Sequence, residues 1–155
     1  MRYLFIDKIL KLHKNTSIEA VKCVALSEDY FTDHFAGYPV MPGALMIESL
    51  AQAGTALLEY SGGFKKKTLL VMVHEAKFRT PVRPGSQLTV SGEIVSMTET
   101  SAQMDGSIFC NRKLVANALL TFSLQEIDTF YPQNLRFMIG SVYDNWLDGA
   151  EITGF

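Results

Sequence analysis

The sequence predicts an α+β domain in which a largely antiparallel sheet of about six strands wraps one long central helix. Three observations carry this. Residues 44–58 hold a single charge, Glu48, and are apolar on nearly every face, which marks a buried helix. Two strand-like runs precede that helix and four follow it. The links between the last strands are short enough only for antiparallel neighbours. One buried helix against such a sheet is an α+β arrangement.

The elements follow in order. Residues 3–12, YLFIDKILKL, are rich in large apolar side chains and read as a strand, with helix as the alternative for LFIDKILKL. HKNTS (13–17) supplies a turn, and 18–26, IEAVKCVAL, the returning strand. A polar link, 27–33, leads to His34. Pro39 and Pro42 stiffen the approach to the helix, because each fixes its own φ and disfavours helix in the residue before it. Pro42 or Gly43 falls near the first turn, where a missing N–H costs least. Small residues (Ala51, Ala53, Gly54, Ala56) let another element approach closely. Paired glycines and three lysines, SGGFKKK (61–67), stop the helix. Strands are expected at 68–78, 87–98, 101–111 and 113–124, with a proline–glycine connection at 80–86. The division expected is a folded unit over 1–125 and a C-terminal tail, 126–155, rich in aromatics but without a sustained period.

At 155 residues, with 48% hydrophobic and 19% charged residues, the chain is long enough for one domain with a full core. A net charge of −2 gives no reason to expect nucleic acid as a partner. The helix is too short and too interrupted by Glu48, Ser49 and Gln52 for a membrane span. The N-terminus shows no cleavable leader, and Cys23 and Cys110 are isolated thiols without metal spacing, so a cytoplasmic setting is expected.

Glu48 is the residue that needs a reason. An unpaired charge on a buried helix is costly, so it requires a partner, a cavity or a proton. A structural hydrogen bond to nearby backbone is one explanation. His34 supplies another, because it precedes the glycine–proline turn close to the helix N-terminus. An acid and a base beside a helix end that favours oxyanions form a candidate reaction centre.

Four stretches carry a family resemblance: H-F-x-G-x-P-V-M-P-G at 34–43, Glu48 fourteen positions after His34, Ala51-Gln52, and K-F-R-x-P-V-x-P-G at 77–85. Together with the opening RYLFIDKIL, they resemble the hot-dog-fold 3-hydroxyacyl-(acyl carrier protein) dehydratases of type II fatty acid synthesis. The resemblance covers about residues 2–125 and implies a hot-dog fold. Two positions depart from it: Ala36 stands where the family usually has proline, and Tyr38 where it usually has histidine.

The resemblance implies that His34 takes the C2 proton of a 3-hydroxyacyl thioester and that Glu48 protonates the departing C3 hydroxyl, directly or through a water. It also implies that the Gly43 N–H stabilises the thioester oxygen and that the Val40 carbonyl orients His34. Tyr38 would border the substrate. It further implies an acyl carrier protein as partner, a homodimer or an oligomer of dimers with shared sites, and no cofactor or metal. Two alternatives stand beside it: a hot-dog acyl thioesterase, sharing the fold and substrate class, and a non-catalytic acyl-binding or dimer-partner subunit. The His34–Glu48 pair argues against both.

The remaining candidates have plainer readings beside functional ones. Lys65, Lys66 and Lys67 read as a solvated loop. With Lys77, Arg79 and Arg83 they would instead be a landing patch for an acidic carrier. Phe31, Phe35, Met46 and Phe78 are core by default, or the lining of an acyl tunnel. His13 is placed in a turn and His74 in a strand, both as packing or solvated groups.

Overall fold

The computed structural model describes residues 3–135 and 137–154. Arg2 of the opening motif, and Arg136 and Phe155 of the tail, lie outside the described residues.

Seven strands form one sheet: β1 (Lys8–His13), β2 (Ser17–Cys23), β3 (Lys66–Phe78), β4 (Gln87–Met97), β5 (Ser101–Cys110), β6 (Lys113–Glu126) and β7 (Glu151–Thr153). Their spatial order is β3-β6-β5-β4-β2-β1-β7. The first six pair antiparallel, as expected. The seventh comes from the tail and runs parallel to β1, with Lys11, Leu12 and His13 opposite Glu151, Ile152 and Thr153. The first strand is shorter than expected, starting at Lys8, and His13 closes it instead of opening the turn.

Helix α1 (Gly43–Ser61) packs on one face of the sheet. Leu50, Ala53, Ala56 and Leu57 are fully enclosed. Close approach is made possible by glycine on both sides. Gly92 and Gly106 face each other across β4 and β5, and a Cβ on Gly106 would lie 2.9 Å from a Leu50 methyl of α1. The helix ends in a Schellman motif: Phe64 N–H donates to the Glu59 carbonyl at 2.8 Å and Gly63 N–H to Tyr60 at 3.1 Å. Gly63 takes the left-handed φ of +62° that this ending requires.

The tail is a packed extension of the core. Helix α2 (Phe137–Trp146) follows two single 3-10 turns. Trp146 Nε1–H donates to the Ile6 carbonyl at 3.1 Å, and Tyr143 O–H donates to Glu59 Oε2 at 2.8 Å. The Phe64, Tyr143 and Trp146 rings pack edge-on in series. No described helix is long and apolar enough to cross a membrane.

Candidate active site

His34 ends a short loop that follows the 3-10 turn Asp29–Phe31. Phe35 to Tyr38 then make a tight turn, with Tyr38 N–H donating to Phe35 O at 3.0 Å. Gly37, with φ +76°, holds the third position, as a type II turn demands. Ala36 holds the second, where proline is favoured. The chain returns so that Val40 N–H donates to the His34 carbonyl at 3.0 Å, and Met41 N–H to Val82 O at 2.8 Å.

That return places the Val40 carbonyl 3.0 Å from His34 Nδ1. A carbonyl only accepts, so Nδ1 carries a proton, and in the neutral ring the lone pair lies on Nε2. The ring also stacks on Phe35, centroids 4.2 Å apart. His34 is half-buried, whereas Phe35 and Tyr38 are exposed. The Arg83 guanidinium lies over the Tyr38 ring, 4.2 Å from its centroid.

Gly43 is the first residue of α1 and opens on a cleft of about 320 Å³ together with Val40, Met46 and Phe78. Phe78 covers the glycine so closely that a Cβ there would lie 3.1 Å from its ring. Glu48 is half-buried and partnered. Gln52 Nε2, one turn on, donates to Glu48 Oε1 at 2.9 Å. The same Gln52 accepts from Phe5 N–H at 2.7 Å and donates to Tyr3 O at 3.1 Å. Glu48 is therefore held against the N-terminal segment and lines a second, larger cavity of about 680 Å³. The motif pair Ala51-Gln52 had no assigned role in the sequence. The i,i+4 spacing of Glu48 and Gln52 is the signal that exposes one.

Several candidates fall elsewhere. Lys66 and Lys67 belong to β3, not to a solvated loop. Lys67 Nζ forms an ion pair with Glu59 Oε1 at 2.8 Å, and Lys66 donates to the Glu99 carbonyl. Eleven positions of strand, roughly 35 Å, separate them from Lys77. The six basic residues therefore do not form one patch within a chain. Arg79 is held by the Asn117 side chain, and Lys77 lies 3.9 Å from Glu75. Of the proposed tunnel set, Phe31 joins the core and Phe35 is exposed, while Met46 and Phe78 border the smaller cleft. His74 Nε2 meets Thr121 Oγ1 at 3.1 Å, a packing role.

The sequence reading missed Glu59, just past the nearly uncharged run. It is only 4% exposed and accepts from Thr68 N–H, Lys67 and Tyr143. Burial, then the neighbouring Glu59 carboxylate, pushes the Tyr143 phenol far above its ordinary range. Among the described residues, no group of three His, Cys, Asp or Glu side chains is placed to hold a metal ion.

A FabA-like domain model matches residues 1–119. The chain belongs to the FabA-like family. It is 37% identical over 129 residues to the 3-hydroxyacyl-(acyl-carrier-protein) dehydratase FabZ of Hydrogenobaculum sp. (strain Y04AAS1), covering 81% of this chain and 87% of the relative. The FabZ of Levilactobacillus brevis is 38% identical over 126 residues, covering 81% and 85%. Among solved structures, the dehydratase heterocomplex ApeI:P from Xenorhabdus doucetiae superposes with a TM-score of 0.66 at 13% identity, covering 88% of this chain and 89% of that one. This FabA-like chain thus has the hot-dog fold, with a tail beyond the family's matched length.

Proposed function

We propose that the chain is a hydro-lyase that dehydrates a 3-hydroxyacyl thioester on acyl carrier protein to the trans-2-enoyl thioester, in type II fatty acid or related acyl-chain synthesis. The observation that carries this is His34. Its Nδ1–H is fixed on the Val40 carbonyl, leaving Nε2 as base, within a family whose 35–38% identical relatives are FabZ dehydratases. Nε2 takes the C2 proton. The C2 electron pair becomes the C2–C3 double bond, and the C3 hydroxyl departs as water with a proton from Glu48. The Gly43 N–H, at the positive end of α1, stabilises charge on the thioester oxygen.

Gly43 and Glu48 are five positions apart on α1, about 140° around the helix, and line different cavities. That separation supports a homodimeric unit in which His34 of one protomer meets Glu48 of the other. Strand β3 supports it too: it ends the sheet and exposes Leu69, Leu70, Val71, Met72 and Val73 in succession. Soluble chains avoid so long an apolar edge. Lys77, Arg79 and Arg83, the last over the Tyr38 ring, are the basic residues proposed to meet the acidic carrier. Cys23 and Cys110 are free thiols, which supports a cytoplasmic setting. Residues 1–125 are taken as the reaction unit and 126–155 as its extension.

The test is turnover of a 3-hydroxyacyl carrier thioester, followed by enoyl absorbance and product mass. His34→Ala and Glu48→Gln should each lower kcat at least ~10²-fold, the usual size of general acid–base effects, with folding unchanged by circular dichroism. Release of free acid would indicate a thioesterase, and near-native rates in either variant would remove these residues from the chemistry.

A further inference from the structure

Glu48 shares its cavity with residues that the FabA-like match does not reach. That cavity of about 680 Å³ follows one stripe of α1, through Glu48, Gln52, Thr55 and Glu59. Its outer wall comes from the tail: Tyr131, Ile139, Val142, Tyr143 and Trp146. Leu4, Ala51, Leu69 and Leu70 make much of the rest apolar. At the far end of that stripe lies the buried Glu59, bound to Lys67 and Tyr143. A carboxylate already saturated by those partners gives an alkyl terminus nothing to gain and a polar cluster to disrupt.

We propose that the tail is a chain-length ruler: the acyl chain of the substrate lies in this trough, and α2 with the Glu59–Tyr143–Lys67 cluster sets where it must stop. The proposal rests on the dehydratase reading for the identity of the reacting end. The volume lies in the range of small-molecule sites. From Glu48 to Glu59 is eleven residues of helix, about 16 Å. An extended chain advances about 1.2 Å per bond, so after contact distances at each end the trough takes about ten carbons.

The chain contains a single tryptophan, and Trp146 lines the trough. Its emission therefore reports occupancy without any turnover. Acyl-pantetheines of two to sixteen carbons are titrated into the full-length protein. Affinity should rise roughly fourfold per added methylene, then level off near ten carbons. Equal affinity for two- and ten-carbon chains, or a rise that continues unbroken to sixteen, would overturn the ruler. Val142→Phe, which fills the trough from the tail side, should weaken ten-carbon binding tenfold or more and weaken four-carbon binding at least threefold less than that. Val142→Ala should move the plateau to longer chains. Equal losses at four and ten carbons in a folded Val142→Phe protein would reduce the tail to a structural brace. Should that variant not fold, the wild-type series still decides. Chain-length-dependent binding without enoyl product would refute the proposed reaction while upholding the trough.

Discussion

Tyr143 is a phenol only 6% exposed whose hydroxyl donates to a carboxylate that is itself buried. Its neutral form is strongly favoured in the folded chain, by burial first and by Glu59 second. The sign of the pH effect follows. Below the ordinary phenol value of 10.0, both folded and unfolded chains keep the proton, and Tyr143 makes stability independent of pH. Above it, only the unfolded chain ionises, so stability falls as pH rises, by at most about 1.4 kcal/mol per pH unit for one tyrosine. Tyr30, raised by burial and then by Glu28 and Asp7, acts in the same direction. Urea unfolding at pH 7 and pH 11 should therefore show a steeper alkaline loss in wild type than in Tyr143→Phe. The variant should also cost about 1.5–3 kcal/mol at pH 7, as a hydrogen bond to a charged group does. Parallel pH profiles would remove Tyr143 from the linkage. None of this was visible in the sequence, because Glu59 and Tyr143 lie 84 positions apart. The pairing of His34 with Val40, six positions apart, sits within one motif and was legible from it.

Helix α1 shows which parts of an element local sequence can specify. Its start at the Pro42–Gly43 step and its end at Gly62-Gly63 were both legible, because prolines and glycines act on their own backbone. Its run of small residues announced a close neighbour but not which one. The neighbours are Phe122 and Met104, and a Cβ on Gly54 would lie 2.5 Å from the Phe122 ring. At an exposed helix position, Gly→Ala stabilises by about 1 kcal/mol. Gly54→Ala should do the opposite, because overpacking costs about 1–3 kcal/mol and Phe122 is fully enclosed. Thermal unfolding checks the sign: a raised Tm would mean that the Phe122 ring moves aside freely. Strand β3 was harder to read. Its register slips twice, between Leu70 and Met72 and between His74 and Lys77, and no residue type there announces a bulge. Lys66 and Lys67 read as a loop because their partners, Glu99 and Glu59, come from other elements.

At the scale of the molecule, the hot-dog core was legible because β1–β2 and β4–β5–β6 need only local turns, while the long-range β2–β4 and β3–β6 pairings that complete the sheet were implied by the family resemblance alone. The tail was not legible, since β7 returns to β1 over some 140 residues and in parallel. The shared-site arrangement has its own test. His34→Ala and Glu48→Gln proteins, each inactive, are mixed under subunit exchange verified by native mass. Random pairing makes about half the dimers mixed, each with one intact site, and so restores up to roughly a quarter of wild-type sites. No recovery with exchange verified would mean that the pair acts within one chain or that the two sites are coupled. The two borders of the sheet are unequal. One is β3, thirteen residues long with an exposed apolar run over 69–73; the other is β7, three residues long and paired to the end of β1. A sheet able to grow from both borders is a monomer in the polymer sense, and it can lengthen into a fibre. With β7 as a stop on one side, joining through β3 consumes the only long border each chain has, among the described residues. In the proposed homodimer, growth by strand addition would then terminate after a single step, and the C-terminal thirty residues would act on assembly as an end-group acts on a polymer.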